Sequence, residues 1–120
     1  MGGKGQTTIY HNPKCGTSRK VLGMLREAGV EPVVIEYLKN PPDKKTLTTL
    51  LRDMGLTPRE LLRRKEAPYV ALGLAEPGTS DTALIDAIVA NPILMERPIV
   101  VSPRGTRLCR PAERVQDLLP

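Results

Sequence analysis

Two β-prone runs, residues 7–10 (TTIY) and 32–37 (PVVIEY), flank a segment of helical spacing at residues 17–28. This β-α-β order constrains the fold more than any other feature of the chain. A strand–helix–strand unit calls for a sheet with the helix packed on its face. Val21, Met24, Leu25 and Ala28 supply the buried stripe of that helix, and Gly29 is suited to end it. A second strand-forming region lies far downstream. Residues 98–102 (PIVVS) are the most strand-like run, Pro103, Arg104 and Gly105 make a turn, and residues 106–109 return as a hairpin partner. Pro111 opens a last helix with Val115 and Leu118 inward.

The residues between these regions read as helical. Asp43 caps a helix whose stripe is Leu47, Leu50, Leu51 and Met54, and Gly55 closes it. Thr57 and Glu60 form a capping box with Pro58 at the first helical position, starting a short helix through about Lys65. Ser80 caps another helix, with Leu84, Ile85, Ile88 and Val89 on its apolar face. The chain is therefore expected to form one α/β domain over residues 1–120. About four strands make a small mixed sheet flanked by helices, residues 43–90 form a helical insertion, and residues 1–6 form a flexible Gly-rich tail.

Composition narrows the function. At 40% hydrophobic residues over 120, the chain can bury one core and is not disordered. Two cysteines do not make a disulfide scaffold. No uncharged run approaches the roughly 18 residues a membrane helix needs, and the first ten residues lack the apolar stretch of a secretory signal. A cytoplasmic protein with reduced thiols and no membrane partner is expected. The net charge of +5 admits nucleic acid, acidic proteins or small oxyanions as partners. With no Phe, no Trp and three Tyr, the chain offers few platforms for stacking bases, so nucleic acid is disfavoured.

The chemistry centres on Cys15. It lies where the first strand's loop enters the helix, and the helix N-terminus stabilises a thiolate. Asn12, Gly16, Thr17 and Ser18 surround it in sequence, and the same backbone N–H groups can cradle an oxyanion. His11, the only histidine, lies in the same loop and is a candidate to polarise or deprotonate the thiol. Two familiar thiol sites are absent. Cys-x5-Arg fails because Val21 stands six residues after Cys15, and Cys-x-x-Cys fails because Ser18 holds the second position. Cys109 lies in a candidate strand and reads as structural. One His and two dispersed Cys do not make a metal site. Arg63, Arg97 and Arg110 sit at element ends that can converge on Cys15, and guanidinium groups bind tetrahedral oxyanions bidentately.

The run from Tyr10 to Arg19 (YHNPKCGTSR) resembles the active-site loop of the glutathione/glutaredoxin-dependent arsenate reductases. The similarity continues through Leu61-Leu62-Arg63, Pro68-Tyr69, Arg97-Pro98-Ile99 and Gly105 to Pro111, and spans nearly all of residues 7–119. The resemblance implies a thioredoxin-like fold with a helical insertion, Cys15 as nucleophile, and His11 as its supporting histidine. It further implies Arg63, Arg97 and Arg110 as ligands of the arsenate oxyanion, and Pro98 as a cis-proline facing the thiol. Arg63 is preferred over its neighbour Arg64 because the motif aligns there. No bound cofactor is implied, and glutathione serves as co-substrate with glutaredoxin as partner. Two other readings share the fold: a glutathione-dependent thiol reductase acting on another substrate, and a redox-sensing regulator that binds RNA polymerase. The arginines disfavour the first, and Ser18 in place of a second cysteine disfavours the second.

Overall fold

A computed structural model describes residues 6–120. Gln6 apart, the expected N-terminal tail lies outside the described residues. Two compact units are present. One comprises the chain up to Asn40 together with Arg97–Pro120, and the other comprises Pro41–Glu96.

The first unit is built on four strands: β1 (Thr8–His11), β2 (Val33–Glu36), β3 (Ile99–Ser102) and β4 (Gly105–Leu108). Their order is β2-β1-β3-β4. Helix α1 (Gly16–Glu27) links β1 to β2, which pair in parallel with Thr8 beside Val33. β3 lies antiparallel on the other side of β1, and β4 folds back on β3 as a hairpin. Ile9 stands opposite Val100, so both side chains enter one face of the sheet. There they pack with Val21 and Leu25 of α1 and with Cys109, Ala112, Val115 and Leu118.

The final segment, Ala112–Leu118, is a 3-10 helix. Its buried residues Ala112, Val115 and Leu118 recur every third position, which matches three residues per turn. Val115 and Leu118 do point inward, as their spacing required.

The second unit is helical. α2 (Lys44–Met54) begins where Asp43 accepts the Thr46 N–H at 2.8 Å, and ends at Gly55 with φ 68. That left-handed cap suits glycine because it has no Cβ to clash. α3 (Pro58–Leu61) starts with the Thr57–Glu60 capping box. It stops short of Lys65 because Leu62 turns extended and bridges Met95. The Arg63 N–H donates to Leu94 O at 2.8 Å and the Glu96 N–H to Leu61 O at 2.9 Å. Pro68 lies in the first turn of α4 (Ala67–Ala71), where its missing N–H costs nothing. α5 (Asp81–Ala90) is capped by Ser80 and packs Leu84 and Ile88 inward, with Ile85 and Val89 half-buried. The Leu62–Met95 bridge also explains why this unit extends past residue 90, the limit expected for the insertion.

Ile9 is fully buried on the central strand. Ile9→Ala should lower stability by about 3 kcal/mol through lost burial and the cavity left behind. Urea denaturation checks this; a loss under about 1 kcal/mol would mean the core re-forms around the gap.

Candidate active site

Strand register assembles the site. β1 ends at His11, and Tyr10 pairs with Ile99 at the start of antiparallel β3. Ile99 in turn pairs with Leu108 at the end of β4. The residues just outside those pairs, Arg97 before β3 and Arg110 after β4, therefore reach the sheet edge where the β1–α1 loop carries Cys15. The Arg97–Pro98 and Arg110–Pro111 peptide bonds are cis.

Asn12 shapes the loop. Its carbonyl accepts the Cys15 N–H at 3.0 Å and its side-chain oxygen accepts the Lys14 N–H at 2.9 Å. This tight turn delivers Cys15 to the position that precedes α1. Gly16, Thr17 and Ser18 follow as the first helical residues, whose N–H groups have no partner within the helix. Ser18 is fully buried and ties three parts together. Its Oγ lies 2.6 Å from His11 Nδ1 and accepts the Asn12 N–H at 3.0 Å. Its backbone N–H acts on the Cys15 sulfur. His11 thus supports the loop through Ser18. Burial, aided by the charges of Arg26 and Arg19 and opposed by Glu36, holds its pKa below the ordinary 6.5, so the ring is neutral at pH 7.

Arg110 lies 3.8 Å from the Cys15 sulfur through Nη1 and donates the same group to the Arg97 carbonyl at 3.2 Å. One arginine's backbone therefore aims the other's side chain. Arg97 is 9% exposed, and its Nε and Nη1 meet no acceptor among the described residues. Burying a guanidinium away from any carboxylate is unfavourable unless an anion approaches it. Here one does. Burial alone raises the Cys15 pKa, but the Ser18 N–H and the Arg97 and Arg110 guanidinium groups outweigh it. They bring the pKa from the ordinary 9.0 to about 7. Cys109 is the contrast. Burial in the core pushes its pKa up to about 12 against the weaker pull of Arg107 and Arg114.

Arg63 belongs to the helical unit. Its guanidinium pairs with Glu66 at 3.0 Å and with Glu96 at 2.6 Å. The second acid was not anticipated; the first is signalled in sequence by its spacing of three residues. The Arg110–Arg97 carbonyl bond was also unanticipated, because it depends on a strand pairing that no local pattern encodes. Among the described residues, no cluster of three or more His, Cys, Asp or Glu could hold a metal ion. Nor, among the described residues, is any helix long and apolar enough to cross a membrane.

An activated thiol beside two arginines can attack the central atom of a bound oxyanion. Alkylation by iodoacetamide should follow a single Cys15 titration with a midpoint near pH 7. Below that pH the rate falls about tenfold per unit as thiolate is lost. Cys109 should stay unlabelled in the folded protein. A midpoint near pH 9 would show that the loop does not activate the thiol.

Comparison with known proteins points the same way. The chain matches the ArsC family over residues 10–118. It is 56% identical over 113 residues to an arsenate reductase of Rhizobium meliloti, covering 94% of this chain and 81% of that protein. It is 50% identical over 115 residues to YfgD, an uncharacterised Escherichia coli protein, covering 95% of this chain and 97% of that one. The solved arsenate reductase from Vibrio cholerae superposes with a TM-score of 0.91 at 41% identity, covering 97% and 99% of the two chains. With its four-stranded thioredoxin-like sheet and activated Cys15, the chain belongs to the ArsC family.

Proposed function

We propose that the protein is an arsenate reductase, working as one thioredoxin-like domain with a helical insertion. The observation that carries this reading is Arg97. A buried guanidinium with two unengaged nitrogens, Nε and Nη1, next to a thiol of pKa about 7 suits a tetrahedral oxyanion that must be held and then attacked. The relatives' activity supports it.

In the proposed cycle, arsenate is held by Arg97, Arg110 and the N–H groups of Gly16 and Thr17. Arg63 is the third oxyanion ligand; its place in the family motif supports this. The Cys15 thiolate attacks arsenic, a sulfur–arsenic bond forms, and one oxygen leaves as water. The arginines offset charge as it builds on the remaining oxygens. A glutathione thiolate then attacks the adduct. Two electrons pass to arsenic, taking it from the +5 to the +3 state, and the two sulfurs are joined as a Cys15–glutathione disulfide. Arsenite leaves, and glutaredoxin restores the thiol by exchange. The only other cysteine, Cys109, is core-buried with its pKa near 12, which supports an external thiol as reductant. Such a cycle belongs in the cytoplasm, where reduced glutathione is maintained, and serves arsenic detoxification. It uses no metal or nucleotide on the protein.

Arsenate-dependent NADPH oxidation, coupled through glutathione, glutaredoxin and glutathione reductase, tests the reading. Wild type should turn over and Cys15→Ser should not; equal rates would overturn it. Arg97→Ala should reduce kcat/KM for arsenate by the equivalent of about 2–5 kcal/mol, because it removes a charge-assisted bond to a desolvated anion. Unchanged arsenate kinetics in a folded variant would remove Arg97 from the site.

A further inference from the structure

Arg19 is a cation that the cycle above leaves without a role. It stands in the first turn of α1, one residue past Ser18. Its Nη1 donates to the Pro13 carbonyl at 2.9 Å, and its Nη2 lies 3.8 Å from where a Cβ on Gly16 would sit. The guanidinium is therefore folded back across the start of the helix, over the residues that bracket Cys15. It is exposed, and one backbone acceptor engages only one of its five N–H donors. Among the described residues, the ion pairs of the sheet unit are Lys20–Glu113, Arg26–Glu31, Lys39–Glu36 and Arg107–Asp117. They include neither Arg19 nor its exposed loop neighbour Lys14. An arginine on a solvated helix face ordinarily swings free or pairs along the helix. This one is anchored at one edge, and its remaining donors stay open to solvent.

The two sets of cations differ in depth. Arg97 is buried, and with Arg110 it acts directly on the sulfur. Arg19 and Lys14 are exposed around the same loop. A second thiol that brings its sulfur to Cys15 must leave the rest of its body outside, over that loop. If its body carries carboxylates, a fixed guanidinium there can hold one and set the angle of attack.

We propose that Arg19, assisted by Lys14, binds a carboxylate of the low-molecular-weight thiol that reduces the Cys15 adduct, so that the site selects anionic peptide thiols over uncharged ones. This rests on the arsenate reductase reading. It adds a positioning residue for the second substrate and no new chemical step.

The test compares glutathione with its diethyl ester, which has the same sulfur but masked carboxylates, as reductants of the full-length enzyme at saturating arsenate. Wild type should show a KM for glutathione about fivefold below that for the ester. Arg19→Gln should raise the glutathione KM to the ester's value, leaving the ester's KM and the arsenate KM within about twofold of wild type. Arg19→Lys, which keeps the charge, should retain part of the preference. Equal KM values for the two thiols in wild type would overturn the proposal while the reductase reading stands. So would a loss in Arg19→Gln of equal size with either thiol, which would mark Arg19 as a brace for the loop. No arsenate turnover by wild type with either thiol would overturn the reading and the proposal together.

Discussion

A buried thiol resists ionisation, and the end of the sheet that carries Cys15 is organised to reverse that resistance. Three groups act on one sulfur: a helix-start N–H from Ser18 and the guanidinium groups of Arg97 and Arg110. Together they outweigh burial, and each comes from a different stretch of chain. The N–H requires that Asn12 turn the loop so that Cys15 precedes α1. The guanidinium groups require that β3 and β4 pair in the observed register. Cys109 shows what happens without such help. It is buried in the same unit, and its pKa is displaced in the opposite direction to about 12.

The polar groups of the site also hold one another. Ser18 receives the Asn12 N–H and meets His11, so a neutral histidine and a hydroxyl fix the loop without adding charge beside the sulfur. Arg110 is oriented by the carbonyl of Arg97. Long flexible side chains are thus fixed before any anion binds, which lowers the ordering entropy lost on binding.

Local signals in the sequence located most of the elements. Asp43, the Thr57–Glu60 pair and Ser80 mark helix starts, Gly55 marks an end, and each does so through a bond within a few residues. Cys15 was likewise legible from its place between strand and helix. What escaped is non-local. Nothing between Pro58 and Lys65 signals that Leu62 will bridge Met95 and cut the helix at Leu61. The spacing of Val115 and Leu118 marks a last helix and its inward face, but does not by itself say that it winds as a 3-10 helix. The aim of Arg110 depends on a carbonyl thirteen residues away, across a hairpin, where composition and spacing carry no signal.

The β1–β3 pairing has a consequence for when the protein becomes reactive. Tyr10 meets Ile99 only after a loop of roughly ninety residues has closed, at an entropic cost on the order of 4 kcal/mol. The β1–α1–β2 segment is local and can form early during synthesis, but Arg97 and Arg110 arrive only with the last quarter of the chain. A growing chain can therefore present the helix-start N–H to Cys15 but lacks both guanidinium groups, so its cysteine is less ionised and less exposed to oxidants and stray disulfides than in the finished fold. The last share of activation waits for β3 and β4, so the thiol reaches full reactivity only when the sheet is complete.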